Sequence, residues 1–177
     1  IDKNTVLVSD KSGKKEKYTA KNIVIGTGSV PSSLPGINID EKNVVSSTGA
    51  LSFNEVPNEL VVIGGGYIGL ELSSVWSRLG SKVTVVEFSD YIIPGMDKDI
   101  SNEFLKILKK QGIKFELDSK VTTVKAAKGK SVVEFANNKT GIKKAIETDK
   151  VLVAVGRKAN IGEEISKLGI KLDKKNK

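Results

Sequence analysis

The stretch Glu59-Leu60-Val61-Val62-Ile63-Gly64-Gly65-Gly66-Tyr67-Ile68-Gly69 decides how this chain folds. Residues 60–63 are all apolar, with no polar alternation. That pattern predicts a strand buried on both faces, as in a parallel sheet. Three glycines end the run. Beyond them Ile68, Leu72, Val75 and Leu79 recur at intervals of four, three and four. This predicts an amphipathic helix with those four side chains on its buried face, stopped by Gly80. Lys82-Val83-Thr84-Val85-Val86 is the next strand, and it closes on Glu87. Strand, glycine turn, helix, strand and acid make one βαβ unit over residues 59–87.

A GxGxxG spacing alone is weak evidence, because glycine-rich turns often serve only positive φ. Here a buried strand precedes it, a helix opens within it, an apolar strand follows, and an acid closes that strand. Gly64 makes the tight turn, Gly66 admits a pyrophosphate close to the backbone, and Gly69 lets helix and strand approach. The amides at the helix start face the anion. Glu87 is expected to accept hydrogen bonds from the adenosine ribose hydroxyls and to repel a 2′-phosphate. No arginine lies between Arg78 and Arg157 to receive one. NAD is therefore expected over NADP, although the same fingerprint does not separate NAD from FAD.

Outward from this unit, Thr5-Val6-Leu7-Val8, a polar turn over residues 9–15, and residues 17–20 suggest a hairpin. Asn22-Ile23-Val24-Ile25 reads as a buried strand ending at Gly26-Thr27-Gly28-Ser29. Residues 30–43, with Pro31, Pro35 and Gly36, read as a linker or crossover. Ser46-Ser47-Thr48 suits the cap of a short helix over residues 49–53. A second helix is expected near Asp97, with acids first and Lys109 and Lys110 last, matching the helix dipole. Ile100, Phe104, Ile107 and Leu108 form its expected buried stripe. A strand at residues 113–115 follows. Segments 120–125, 131–136 and 142–148 read as a meander, with turns at residues 127–129 and 137–138. Val151-Leu152-Val153-Ala154-Val155 is a last apolar strand, closed by Gly156-Arg157, and the terminal lysines suggest a frayed tail.

Composition narrows the chemistry. Among 177 residues there is no cysteine and no histidine, which excludes disulfides, thiolate metal sites and a histidine base within this chain. No catalytic residue and no metal ligand is assigned. The net charge of +8 is carried almost wholly by lysine. Base-edge arginines and interleaved aromatics are missing, so nucleic-acid binding is not expected. No apolar run approaches the roughly 18 residues of a membrane span. The first residues show neither an initiator methionine nor a signal-peptide layout, and the chain reads as cut from a longer one.

Residues 61–71, with Val85-Val86-Glu87, residues 151–157 and Ile23-Val24-Ile25-Gly26-Thr27-Gly28-Ser29, resemble the flavoprotein pyridine nucleotide–disulfide oxidoreductases. Ile92-Ile93-Pro94-Gly95-Met96-Asp97 narrows the resemblance to the dihydrolipoamide dehydrogenase branch; NADH oxidases and mercuric reductases are nearer rivals than the NADP-dependent, glutathione reductase-like members. The resemblance covers essentially the whole chain. It implies an α/β fold: a Rossmann-like βαβαβ parallel sheet with a β-meander crossover, plus flanking β segments of an incomplete FAD domain. It implies a strip of FAD domain at residues 1–31, an NAD-binding domain at 32–158, and a return segment at 159–177. The family's FAD fingerprint, redox disulfide and dimerisation domain with a His-Glu pair are not in this chain. Thr27, Gly28 and Ser29 match its second FAD-contacting motif, though flavin is not expected to bind here.

By the same resemblance the nucleotide site comprises Gly64, Gly65, Gly66, Tyr67, Ile68, Gly69, Leu70, Glu71, Glu87, Val121 and Gly156. Glu71 would lie near the nicotinamide, Tyr67 at a gate between nicotinamide and flavin, and Val121 and Gly156 at the adenine and nicotinamide ends. Plainer readings stay open. Glu71 suits an exposed first helical turn, Tyr67 a cover for the strand, Val121 the meander core and Gly156 a strand-end turn. The implied parent oxidises dihydrolipoamide with NAD through FAD and a disulfide. It is a homodimer serving lipoyl domains of 2-oxoacid dehydrogenase complexes, in the bacterial cytoplasm or the mitochondrial matrix. The chain alone would be inactive; a stand-alone, non-catalytic NAD-binding module is the other reading.

Overall fold

The computed structural model describes residues 1–127 and 129–173. In chain order the elements are β1 (Thr5–Ser9), β2 (Lys15–Thr19), β3 (Ser29–Pro31), β4 (Val44–Val45), α1 (Ser47–Ala50), β5 (Glu59–Ile63), α2 (Tyr67–Arg78), β6 (Lys82–Val86) and α3 (Lys98–Lys110). They continue with β7 (Lys114–Glu116), β8 (Ser119–Ala127), β9 (Lys130–Asn137), β10 (Lys143–Thr148), β11 (Lys150–Val153), β12 (Arg157–Ala159) and α4 (Glu163–Ser166). Of the expectations above, Lys128 in the turn 127–129 and residues 174–177 lie outside the described residues. Two compact units form: Pro31–Gly156, and Ile1–Val30 with the segment from Arg157 onward.

The larger unit is built on a five-stranded parallel sheet of order β4-β11-β5-β6-β7. Leu60, Val62, Val83, Val85 and Leu152 join one core with α2 and α3 residues such as Leu72, Trp76 and Leu108. Val61, Ile63, Val86, Val151 and Val153 join a second core with Val133 and Phe135 of the antiparallel meander β8-β9-β10. Helices cover one face and the meander the other, which is why Leu60–Ile63 of β5 and Val151–Val153 of β11 carry no polar alternation. The expected α/β class with a meander crossover is what forms.

The expected helix stripes hold at Ile68, Leu72, Phe104 and Leu108 and fail at their other residues in one consistent sense. Val75 and Leu79 on α2 are exposed, as are Ile100 and Ile107 on α3. The buried lines are instead Gly69, Leu72, Ser73 and Trp76 on α2 and Ser101 and Leu108 on α3, with Phe104 and Leu105 half-buried. Each helix is rotated by roughly a quarter turn from the stripe of largest apolar residues, at 100° per residue. A buried serine marks the true inner face of each. Ser73 Oγ donates to Gly69 O at 2.7 Å and Ser101 Oγ to Ile92 O at 2.8 Å. Small, internally bonded hydroxyls let a helix sit close to the sheet, and an apolar periodicity cannot count them.

The helix expected over residues 49–53 ends at Ala50, with Ser46 as its side-chain cap. In the smaller unit β1 and β2 form the expected hairpin. Residues 22–25 are not a strand: Val24 is 93% exposed, and no described strand pairs with the run. An apolar run becomes a central strand only where sheet neighbours exist. The short pair β3-β12 was not foreseen, three residues being too few to show a period.

Candidate functional site

The sheet order puts β5 between β6, which follows it directly, and β11, which returns last. The crevice beyond the carboxyl ends of these strands is a topological switch point, the usual ligand position in open α/β sheets. Gly64–Gly66, Glu87 and the Ala154–Gly156 segment all leave the sheet there. Gly64 has φ +110°, and a Cβ there would lie 2.5 Å from Ala154 O. At Gly69 a Cβ would run into Gly64 O. Protein backbone thus fills the space at both. Gly66 differs: its φ of −77° suits any residue, and an added Cβ meets nothing within 4 Å. The first bond of α2 is Leu70 N to Gly66 O at 3.0 Å, so the amides of Tyr67 and Ile68 stand at the open helix end beside this space.

Glu87 is buried, and its carboxylate is tied to the glycine turn. Oε2 accepts from Gly65 N at 2.5 Å and Oε1 from Ser89 N at 2.8 Å. A Cβ on Gly65 would press the Glu87 side chain at 3.2 Å, so a small residue is needed there as well. A carboxylate offers about four acceptor positions, so acceptors remain after these two bonds. Glu87 therefore joins the ends of β5 and β6 before any ligand is considered.

The remaining candidates fall into distinct surroundings. Tyr67 is 75% exposed and does not cover the strand; Glu71 is also exposed, one turn along α2. Ile68 packs against the helix-side core and Leu70 is buried within it, so neither side chain faces the crevice. Val121 is half-buried against the meander-side core, next to a register shift in the β8–β9 pairing. Gly156 has φ +125° and its carbonyl accepts from Ser32 N at 2.9 Å. Thr27, Gly28 and Ser29 lie in the smaller unit. There Asn160 donates to the Thr27 and Gly28 carbonyls, and Arg157 to both Ser29 oxygens. A Cβ at Gly28 meets nothing within 4 Å. Among the described residues no cluster of acids, cysteines or histidines fits a metal, and no helix is long and apolar enough to cross a membrane.

Several polar residues near Glu87 escaped the sequence reading. Ser119 N donates to Glu87 O at 2.9 Å, and Asp118 N to Ser89 O at 2.8 Å. Asn138 Nδ2 reaches Phe88 O at 2.8 Å, and Lys139 pairs with Asp90 and Asp118 at 3.4 and 3.3 Å. The hydrogen bond to Asp118, then the charges of Asp118 and Asp90, hold the Lys139 ammonium above the ordinary lysine range. Only the turn chemistry of Asn137-Asn138 was visible in one dimension.

A family model described as pyridine nucleotide-disulphide oxidoreductase matches residues 1–177. A mitochondrial dihydrolipoyl dehydrogenase of Dictyostelium discoideum is 49% identical over 174 residues, covering 97% of this chain and 36% of that protein. A leghemoglobin reductase of Glycine max is 45% identical over 175 residues, covering 98% of this chain and 34% of that protein. Among solved structures, the Cu(II) complex of an HOCl-induced flavoprotein disulfide reductase from Escherichia coli superposes with a TM-score of 0.86 at 28% identity, over 99% of this chain and 39% of that one. The chain thus spans about a third of the length of the curated relatives it matches.

Proposed function

The chain belongs to the pyridine nucleotide-disulphide oxidoreductase family, and from that premise we propose that it binds NAD at the turn between β5 and α2. The observation that carries this reading is Gly66. The fold itself explains Gly64 and Gly69, whose Cβ positions are taken by backbone, but nothing in the protein fills the space over Gly66. A pyrophosphate lying there meets the open amides of α2 and the positive end of its dipole. Glu87, one strand over, offers its remaining acceptors to the adenosine ribose and disfavours a 2′-phosphate. Val121 lies toward the adenine; Gly156, Glu71 and Tyr67 lie toward the nicotinamide. Residues 32–158 would then be the NAD-binding domain, and the segments 1–31 and 159–177 parts of an FAD-binding domain.

The whole protein's chemistry is a proposal resting on its relatives. It oxidises dihydrolipoamide, and NAD receives the electrons through FAD and a redox disulfide. Since this chain has no cysteine or histidine, it supplies the nucleotide site and neither the thiol nor the imidazole chemistry. Its partners would be a second copy of the parent and lipoyl domains, in the mitochondrial matrix of a eukaryote or a bacterial cytoplasm.

Calorimetry on this chain tests the site. NAD is expected to bind, NADP more weakly, and Glu87→Ala to narrow the difference. Equal binding of the two nucleotides by the unaltered chain would remove the role given to Glu87. Oxidation of dihydrolipoamide with NAD by the chain alone would refute its assignment as a binding unit.

A further inference from the structure

The hairpin turn between β9 and β10 reaches across to the loop that follows Glu87. Asn138 makes one bond to that loop and two to Asp118, between β7 and β8. Its Nδ2 donates to Phe88 O at 2.8 Å and to Asp118 Oδ1 at 3.3 Å, and its main-chain N donates to Asp118 O at 2.7 Å. Lys139 adds ion pairs to Asp90 Oδ2 and Asp118 Oδ2. Asp118 N in turn donates to Ser89 O, while Ser89 N holds Glu87 Oε1. The loop residues Phe88, Ser89 and Asp90 are thus each held from the β9–β10 turn or through Asp118.

The brace is stiff at both ends. At the turn, Asn137 Oδ1 accepts from Lys139 N at 3.1 Å and Thr140 N at 2.9 Å, an Asx arrangement that fixes its tip. Asp118 has φ +52°, a left-handed conformation that aspartate adopts more readily than most residues. Its carboxylate is largely buried, whereas Lys139 and Asp90 are exposed. Such a network exceeds what is needed to close a hairpin.

We infer that Asn138 and Lys139 are positioning residues for the adenosine half of the nucleotide, acting through residues 88–90 to aim the Glu87 carboxylate. This rests on the NAD reading above. It extends the meander's part in nucleotide affinity from Val121 on β8 to the β9–β10 turn. Glu87 needs such help because two of its acceptor positions are already committed to Gly65 and Ser89, so its free positions point usefully only if Ser89 is held.

Dinucleotide halves make the test. NAD, AMP and nicotinamide mononucleotide are titrated by calorimetry into the full chain and its Asn138→Ala and Lys139→Met variants, far below their melting temperatures. Asn138→Ala is expected to weaken AMP and NAD by the same factor, about three- to tenfold, the scale of one positioned hydrogen bond. Nicotinamide mononucleotide should be unchanged. Lys139→Met alters an exposed side chain and keeps the test decisive if Asn138→Ala does not fold. It should weaken AMP about twofold at low salt and lose that effect at high salt. A merely structural role lowers the melting temperature but leaves the AMP affinity of the folded chain unchanged; that result in every variant that folds overturns the inference alone. Failure of the unaltered chain to bind NAD overturns the nucleotide reading, and this inference with it.

Discussion

Gly66→Ala separates a glycine kept for the fold from one kept for a ligand. The backbone at Gly66 has φ −77° and ψ 174°, which alanine adopts freely, and the added methyl meets nothing within 4 Å. Less conformational freedom in the unfolded chain favours alanine by about 0.4–1 kcal/mol. Alanine is a poorer N-cap than glycine by about 0.5–1 kcal/mol, which offsets that gain. The net change is expected within about 0.5 kcal/mol, a shift of less than roughly 3 °C for a unit of this size. Binding should respond differently. A methyl at this position projects into the space where a pyrophosphate meets the amides of Tyr67 and Ile68, so NAD affinity should fall at least about tenfold, or 1.4 kcal/mol. Thermal melting by circular dichroism and calorimetric titration with NAD read the two effects separately. Unchanged melting with NAD binding within twofold of the unaltered chain would show that no ligand passes over Gly66, and the proposed site would fall. A large loss of stability would instead show that the space is not open.

Gly69→Ala should do the reverse: its Cβ runs into Gly64 O, so helix and strand must separate, at a cost of about 1–3 kcal/mol seen as a lower denaturation midpoint. Glu87→Gln leaves either the buried Gly65 amide or the half-buried Ser89 amide facing an NH₂ group, and about 1–3 kcal/mol of stability should be lost even without nucleotide. A melting temperature equal to that of the unaltered chain would refute the tie between Glu87 and the glycine turn. Asp40 supplies a pH test. Burial acts to raise its carboxyl, but the amides of Lys42, Val44 and Asn43 together hold it below the ordinary value of 3.8. Because the folded value is the lower one, this contribution is present above pH 3.8 and is lost as pH falls through the depressed value. In an NMR titration Asp40 should protonate after an ordinary aspartate; titration at or above 3.8 would contradict the hydrogen-bonded turn.

Much of the larger unit could be read in one dimension because its signals are local. Leu60–Ile63 and Val151–Val153 are apolar without interruption, Val83, Val85 and Val86 flank a single threonine, and the sheet does bury these apolar residues on its two faces. The cap at Asp97 and the positive φ of Gly112 mark helix ends through the chemistry of a few adjacent residues. Helix rotation was misread because it follows from close approach at Gly69, Ser73 and Ser101, small residues that carry little weight in an apolar period. Residues 22–25 were misread for the opposite reason: their apolar run is strong, but strand formation needs a neighbour.

For the site, the order of glycines and the acid at residue 87 were determined by sequence alone, since a turn, a helix start and a strand end are each set within a few residues. The sequence also settled that thiol and imidazole chemistry lie outside this chain. What only the tertiary structure decided is which groups are already spoken for. Gly64 and Gly69 owe their identity to backbone packed against them, and Gly66 does not. Glu87 is bonded across the sheet to Gly65, and its loop is held by Asn138, some fifty residues away in sequence. Such partners meet through strand order and register, which depend on the whole packed sheet and leave no local pattern.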